Sequence, residues 1–305
     1  IEAFRRRNIR VGLYHSLIDW HHPDNIIDPH IGPLRNSKER AKLNAGREQA
    51  RYAAYLRGQI KELLTWFGKI DVIWLDFSYP KPDGSGKGHK DWESDKIYAM
   101  VRKLQPHILI NDRLDLPDAW DFKTPEQFQP HNWVKFNGQP VVWEGCQTLS
   151  GSWGYYRDEY TWKSVEMLVQ LLIDSVSKGG NMILNVGPTA RGEFDARAIA
   201  SFKGIGEWMK RHNRAIYGCT AAPAGFTAPR DCRLTFNPET KRMYVHVFAW
   251  PFTELALQGF AGKVDYAQLL NDASEIPIQA RPAWQDHFED GIKSSDIVTL
   301  RLPIR

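Results

Sequence analysis

Cysteine is scarce in this chain. Its 305 residues include three, Cys146, Cys219 and Cys232, too few and too odd in number for a disulfide framework. Two readings stay open for Cys219 and Cys232, a bridge to each other or free buried thiols. No run of about eighteen apolar residues occurs, so no membrane-spanning helix is expected. No basic run exceeds Arg5-Arg6-Arg7 and the net charge is only +4, so nucleic acid is not implied as a partner. There is no His-Glu-x-x-His spacing and no cysteine–histidine cluster, and the adjacent His21 and His22 point in different directions, so neither a metal nor a cofactor is implied. No phosphate-cradling glycine loop follows the first apolar stretch, and no internal repeat or low-complexity tract is visible. No leader is visible either, but the chain opens at Ile1 rather than Met, so localisation is not legible from this end.

What is present fits a globular enzyme: 42% hydrophobic and 25% charged residues with twelve tryptophans. Tryptophan excess tilts slightly toward sugar binding, because sugar C–H faces stack on aromatic rings. The most informative stretch is VIWLDF, residues 72–77. Val72, Ile73, Trp74 and Leu75 read as a fully buried strand, and Asp76 closes it. An aspartate capping a turn is the ordinary explanation. Four further apolar runs, however, also end in polar side chains. VGLYHS (11–16) leads to Asp19, Trp20, His21 and His22; HILIND (107–112) leads to Arg113; VVWEGC (141–146) carries Glu144; NMILNVGP (181–188) carries Asn185. Helical patterns at about 46–68, 91–105, 161–180 and 193–215 alternate with them, which predicts a parallel α/β sheet with chemistry at its C-terminal mouth.

The grammar changes near residues 218–230, where small residues and prolines replace helical periodicity. RLTFN, MYVHVFAW, ELALQGF, AQLLND and DIVTLRLP then follow as short strands separated by turns, which predicts a small antiparallel sandwich. The expected domains are 1–217, a (β/α) barrel, and 218–305, the sandwich. The stretch at 80–90 reads as a polar loop beside the Asp76 strand end. About five barrel strands are visible where a closed (β/α)8 barrel needs eight.

VIWLDF, Asn111-Asp112-Arg113, DFKTPEQ (121–127), WEGC with SWGYYRDE (143–146 and 152–159) and GGNMILNVGPTARGEFD (179–195) together resemble the barrel motifs of α-L-fucosidases of glycoside hydrolase family 29. MYVHVFAWP resembles that family's C-terminal sandwich. The resemblance implies a (β/α)8-like barrel followed by a small antiparallel β-sandwich. It also implies a retaining exo-α-L-fucosidase acting on fucosylated oligosaccharides or glycoconjugates, without cofactor, in an extracytoplasmic, periplasmic or secreted setting. Retention needs two carboxyl groups, one attacking the anomeric carbon and one protonating the leaving oxygen. Asp76 matches the nucleophile of the family's W-x-D motif, Arg113 supplies a permanent positive charge beside it, and Trp74 shares its strand face as a sugar contact. Trp153 is a further candidate sugar contact, and Trp20, His21 and His22 are candidates for which packing within their loop is an equal alternative.

For the acid/base, Glu126 on a polar loop is preferred to Glu144 inside a strand, because a general acid needs access to the leaving group; Asp121 ranks third. The family's earlier His-Trp-Gly strand and the following His-His pair are not found, and His21-His22 are not that pair. Barrel units are therefore expected to be missing at the N-terminal side, leaving an open edge for a second copy or a further segment to cover. Two other classes stay open. A non-catalytic fucose-binding remnant would bind sugar without turnover. A doubly wound hydrolase using Asp76 and Asp112 around a metal would be sensitive to chelators.

Overall fold

The run ending in Asp76 forms the middle strand of a three-stranded parallel sheet, Gly12–Ser16, Val72–Asp76 and Leu109–Ile110 in that order. In the computed structural model, which describes residues 1–30, 37–83, 85–288 and 291–304, this sheet belongs to the first of two compact units, Ile1–Thr124 and Pro125–Arg305. The strand is not buried on both faces, as its apolar sequence suggested. Ile73 and Leu75 are fully buried, whereas Val72, Trp74 and Asp76 alternate onto a half-open face, as the two-residue period of a strand requires. Residues 109 and 110 are all that remains of the expected 107–112 strand. Gly84, within the expected 80–90 loop, lies outside the described residues.

The buried face packs against two helices. Gln49–Trp66 buries Tyr52, Ala53, Leu56, Ile60 and Leu64, a stripe at helical spacing. Ser94–Leu104 adds Ile97 and Val101, and the cluster closes around Trp92, Ile108 and Ile110. The buried Gln105 side chain accepts from Ile70 N and donates to Leu64 O and Gly68 O at 2.8–2.9 Å. It thereby satisfies backbone groups that would otherwise be orphaned where the first helix leads into the central strand.

The second unit contains a parallel pair, Glu144–Thr148 with Asn181–Asn185, and the helices Val165–Ser177 and Ala196–His212. Ser164 Oγ and Asp195 Oδ1 cap these helices by accepting from Met167 N and Arg197 N. The glycine pair before Asn181 is required by packing: a Cβ on Gly180 would come within 2.2 Å of the Trp143 ring, which is fully buried. Gly180→Ala is therefore expected to destabilise this unit by about 2 kcal/mol through overpacking, read as a lower denaturant midpoint with unchanged slope.

Two three-stranded antiparallel sheets follow, Thr220–Ala221 with Cys232–Asn237 and Arg242–Val247, and Glu254–Gln258 with Ile297–Arg301 and Ile278–Ala280. Cys232, Leu234, Leu255, Leu257, Val298 and Leu300 form their shared apolar core, the sandwich arrangement expected from the short-strand pattern. The AQLLND stretch is not a strand; it closes a turn through a single bridge, Gln268 to Glu275. Cys219 and Cys232 are free thiols, as is Cys146. Among the described residues no closed barrel forms, and each unit holds its own parallel sheet. Among the described residues no helix is long and apolar enough to cross a membrane.

The sandwich carries a pH liability. Thr235 Oγ1 donates to Ala215 O at 2.8 Å and so accepts from His246 Nε2 at 2.9 Å. Burial, reinforced by His212, pushes the His246 ring down to about 4. The unfolded chain takes up this proton near the ordinary 6.5. Stability is therefore full above pH 6.5 and falls between 6.5 and 4, by up to about 3 kcal/mol, with no further loss from this group below 4. Denaturant midpoints across that window should fall less steeply for His246→Gln than for the parent.

Candidate functional site

Parallel pairing in the first unit sets Tyr14 opposite Trp74 and Ser16 opposite Asp76. Side chains two apart share a face, so Tyr14 and Trp74 stand together beside the carboxylate. Their rings stack at 5.8 Å and 20°. The Tyr14 hydroxyl donates to Asp76 Oδ2 at 2.8 Å, and Arg113 Nη1 donates to Oδ1 at 3.1 Å. Each carboxylate oxygen thus has its own donor, one of them a cation. Burial and the Asp76 carboxylate push the Tyr14 phenol well above its ordinary range, so it remains a proton-bearing donor. The Arg113 guanidinium also lies over the Trp74 ring, 5.1 Å from its centroid.

Asp76 keeps a side-chain exposure of 20%, enough to be reached from outside. The next residue, Phe77, has φ of +77°, a left-handed conformation that a bulky side chain adopts only at a cost of roughly 1–3 kcal/mol. Such strain gathers at functional sites. The Phe77 ring and the half-exposed Trp20 ring stand nearly perpendicular, 5.9 Å apart at 79°. Asp76, Trp74 and Arg113 are therefore brought together, with Trp20 at the adjoining turn. Tyr14 was not among the residues singled out in the sequence, although the alternation in VGLYHS placed it on the same face as Ser16.

His21 and His22 do not join this cluster. His21 is exposed, its backbone N–H donating to Asp19 Oδ1. His22 packs its ring 4.4 Å from Tyr55 and 5.1 Å from Tyr52, and its Nδ1 accepts from Asp24 N. That is the environment of a packing residue. Asp121 is likewise committed: its Oδ2 accepts from Ile110 N at 2.7 Å and from Arg102 Nη2 at 2.6 Å, holding a sheet strand to a helix.

The remaining candidates belong to the second unit. Glu126 forms a parallel bridge with Cys146, tied by Gln127 N to Cys146 O at 3.0 Å and Cys146 N to Pro125 O at 2.9 Å. Glu144 is the first residue of the Glu144–Thr148 strand, four residues before the C-terminal end where chemistry collects in such folds. Trp153, 42% exposed, is pinned by Asn185 Nδ2 donating to its carbonyl at 2.6 Å. The loop beyond is fastened by Glu159, which accepts from Ser152 Oγ, Thr161 N, Thr161 Oγ1 and Tyr160 N. The Ser152 and Thr161 hydroxyls hold the Glu159 carboxyl down at about 2, so it is an anchor and not an acid. Among the described residues no three acidic, histidine or cysteine side chains gather in metal-ligand geometry. Asp76 faces Arg113, and Asp112 faces Lys123, an arrangement unlike a pair of carboxylates sharing a metal.

A family model described as alpha-L-fucosidase matches residues 1–214. The plasma alpha-L-fucosidase of Rattus norvegicus is 27% identical over 306 residues, covering 94% of this chain and 59% of that protein. The tissue alpha-L-fucosidase of Bos taurus is 30% identical over 234 residues, covering 70% of this chain and 43% of its own length. Among solved structures, alpha-L-fucosidase isoenzyme 1 from Paenibacillus thiaminolyticus is similar with a TM-score of 0.83 and 34% identity, over 100% of this chain and 74% of that one. The chain spans 59% of the rat relative and 43% of the bovine one.

Proposed function

Because the chain belongs to the α-L-fucosidase family, we propose that it is a retaining exo-α-L-fucosidase, releasing terminal α-L-fucose from fucosylated oligosaccharides or glycoconjugates. The observation that carries this is the double grip on Asp76 by Tyr14 and Arg113 at the end of a parallel strand. In the first step Asp76 attacks the anomeric carbon and the bond to the leaving oxygen breaks. That oxygen keeps the electron pair and takes a proton from Glu126. In the second, Glu126 takes a proton from water, whose oxygen displaces Asp76 and yields fucose. Whichever oxygen of Asp76 attacks, the other keeps its donor, so the returning negative charge meets a preset partner. Trp74 offers the face against which the sugar lies, and Trp153 a second aromatic contact.

Glu126 is the acid/base of this proposal and Glu144 the runner-up, and position favours Glu126. Glu126 stands level with Cys146, whereas Glu144 opens its strand, about 13 Å of strand length before Thr148. Residues 1–217 carry catalysis and 218–305 the sandwich. In support, the family match ends at residue 214 and the sandwich holds an apolar cluster of its own. Hydrolysis of an aryl α-L-fucoside tests the proposal. Release of fucose with retained anomeric configuration supports it; fucose binding without release would favour the non-catalytic alternative.

A further inference from the structure

Arg113 is itself held in place. Its Nε donates to Thr124 Oγ1 at 2.8 Å and its Nη2 to Thr124 O at 3.1 Å. One residue thus grips one edge of the planar fork with two acceptors, and the orientation of the whole guanidinium follows because its donors are rigidly related. The edge gripped by Thr124 aims Nη1 at Asp76 Oδ1, 3.1 Å away. Thr124 is buried, and its hydroxyl is directed: it donates to Asp112 Oδ1 at 2.6 Å, so its lone pairs face Nε. The other oxygen of Asp112 meets Lys123 Nζ at 3.5 Å, and Lys123 sits 4.2 Å over the Trp120 ring. The neighbouring Asn111 fixes the strand backbone just before Asp76. It is fully buried, accepts from Leu75 N at 3.0 Å and donates to Leu75 O at 2.8 Å, thereby imitating a strand partner for the residue before Asp76.

We propose that Thr124, with Asp112 behind it, is a positioning residue for the reaction, presenting Arg113 to Asp76 through its hydroxyl. The inference rests on Asp76 being the nucleophile, as proposed above. A hydroxyl that accepts from Nε while donating to a carboxylate has no freedom to turn, and charge-assisted bonds at both ends stiffen the chain of contacts. Loss of the hydroxyl takes away one of the two Thr124 acceptors and lets the guanidinium pivot about its Nη2 contact with the Thr124 carbonyl, which shifts Nη1 relative to Asp76. Small misplacement of a group that acts in the transition state lowers turnover more than it weakens ground-state binding.

The test compares aryl fucoside kinetics of the parent, Asp76→Ala, Thr124→Val, Thr124→Ser and Asp112→Ala, with thermal midpoints alongside. Thr124→Val keeps the shape and removes the hydroxyl; kcat should fall about tenfold with KM within about twofold, and Thr124→Ser should recover most of the loss. Asp112→Ala, which frees the hydroxyl to rotate, should lower kcat about threefold. Parent-level kcat in folded Thr124→Val, or an equal loss in Thr124→Ser, overturns the positioning role even if Asp76→Ala is inactive. Activity in Asp76→Ala overturns the nucleophile assignment instead. Should Thr124→Val not fold, Asp112→Ala decides, and parent-level kcat there overturns the role.

Discussion

Asp76→Ala is expected to lower hydrolysis of an aryl α-L-fucoside by three orders of magnitude or more, about the loss that follows removal of a covalent nucleophile. The expectation comes from the geometry around the carboxylate. Tyr14 and Arg113 donate to separate oxygens, and Trp74 walls the same strand face. A small anion such as azide, entering the space the side chain vacates, should restore partial turnover and give a fucosyl azide of inverted configuration. Residual activity within about tenfold of the parent would remove Asp76 from the mechanism.

The second large effect separates the two glutamates by leaving group. A general acid is needed when the departing oxygen is basic and hardly at all when it belongs to an activated phenol. Glu126→Ala should therefore lose about 10²–10⁴-fold on oligosaccharides or unactivated fucosides, and far less on an activated aryl fucoside. Glu144→Ala, at the far end of its strand from Thr148, should affect both substrates alike, chiefly through folding. The selective pattern appearing in Glu144→Ala and not in Glu126→Ala would reverse the assignment.

Much of the fold was legible because its signals are local. The Val72–Asp76 strand and the Gln49–Trp66 helix follow from β-branched density and a helical apolar stripe. The two-sheet core follows from regularly spaced short strands. What was missed depends on contacts distant in sequence. AQLLND has strand composition, yet no neighbouring strand accepts it beyond a single bridge, and pairing decides such cases. Ser37–Leu43 forms a short helix with too few residues to show a period. VVWEGC was read as a strand over 141–146, whereas the pairing runs from Glu144 to Thr148; that shift moves Glu144 from the interior of the strand to its opening.

The site was legible in part for the same reason. Asp76, Trp74 and Arg113 stood out as polar or aromatic ends to apolar runs, and they meet. Tyr14 escaped notice because its importance comes from register: only the pairing of Tyr14 with Trp74 and of Ser16 with Asp76 brings its hydroxyl to the carboxylate. The positive φ at Phe77 has no sequence signature, since nothing in Asp-Phe-Ser favours a left-handed residue. For His22 the sequence left two readings open, because an imidazole near a strand end suits a sugar or a pair of tyrosines equally well, and its ring packs against Tyr52 and Tyr55.

The most direct test is to trap the intermediate. A 2-deoxy-2-fluoro-fucosyl fluoride slows both steps through the electron-withdrawing fluorine at C2, while its activated leaving group speeds the first, so the covalent fucosyl-enzyme accumulates. Intact-protein mass spectrometry followed by peptide mapping should find a single fluorofucosyl adduct on the peptide containing VIWLDF, carried by Asp76. An adduct on any other carboxylate, or steady fucoside turnover with no adduct at Asp76, would contradict the assignment.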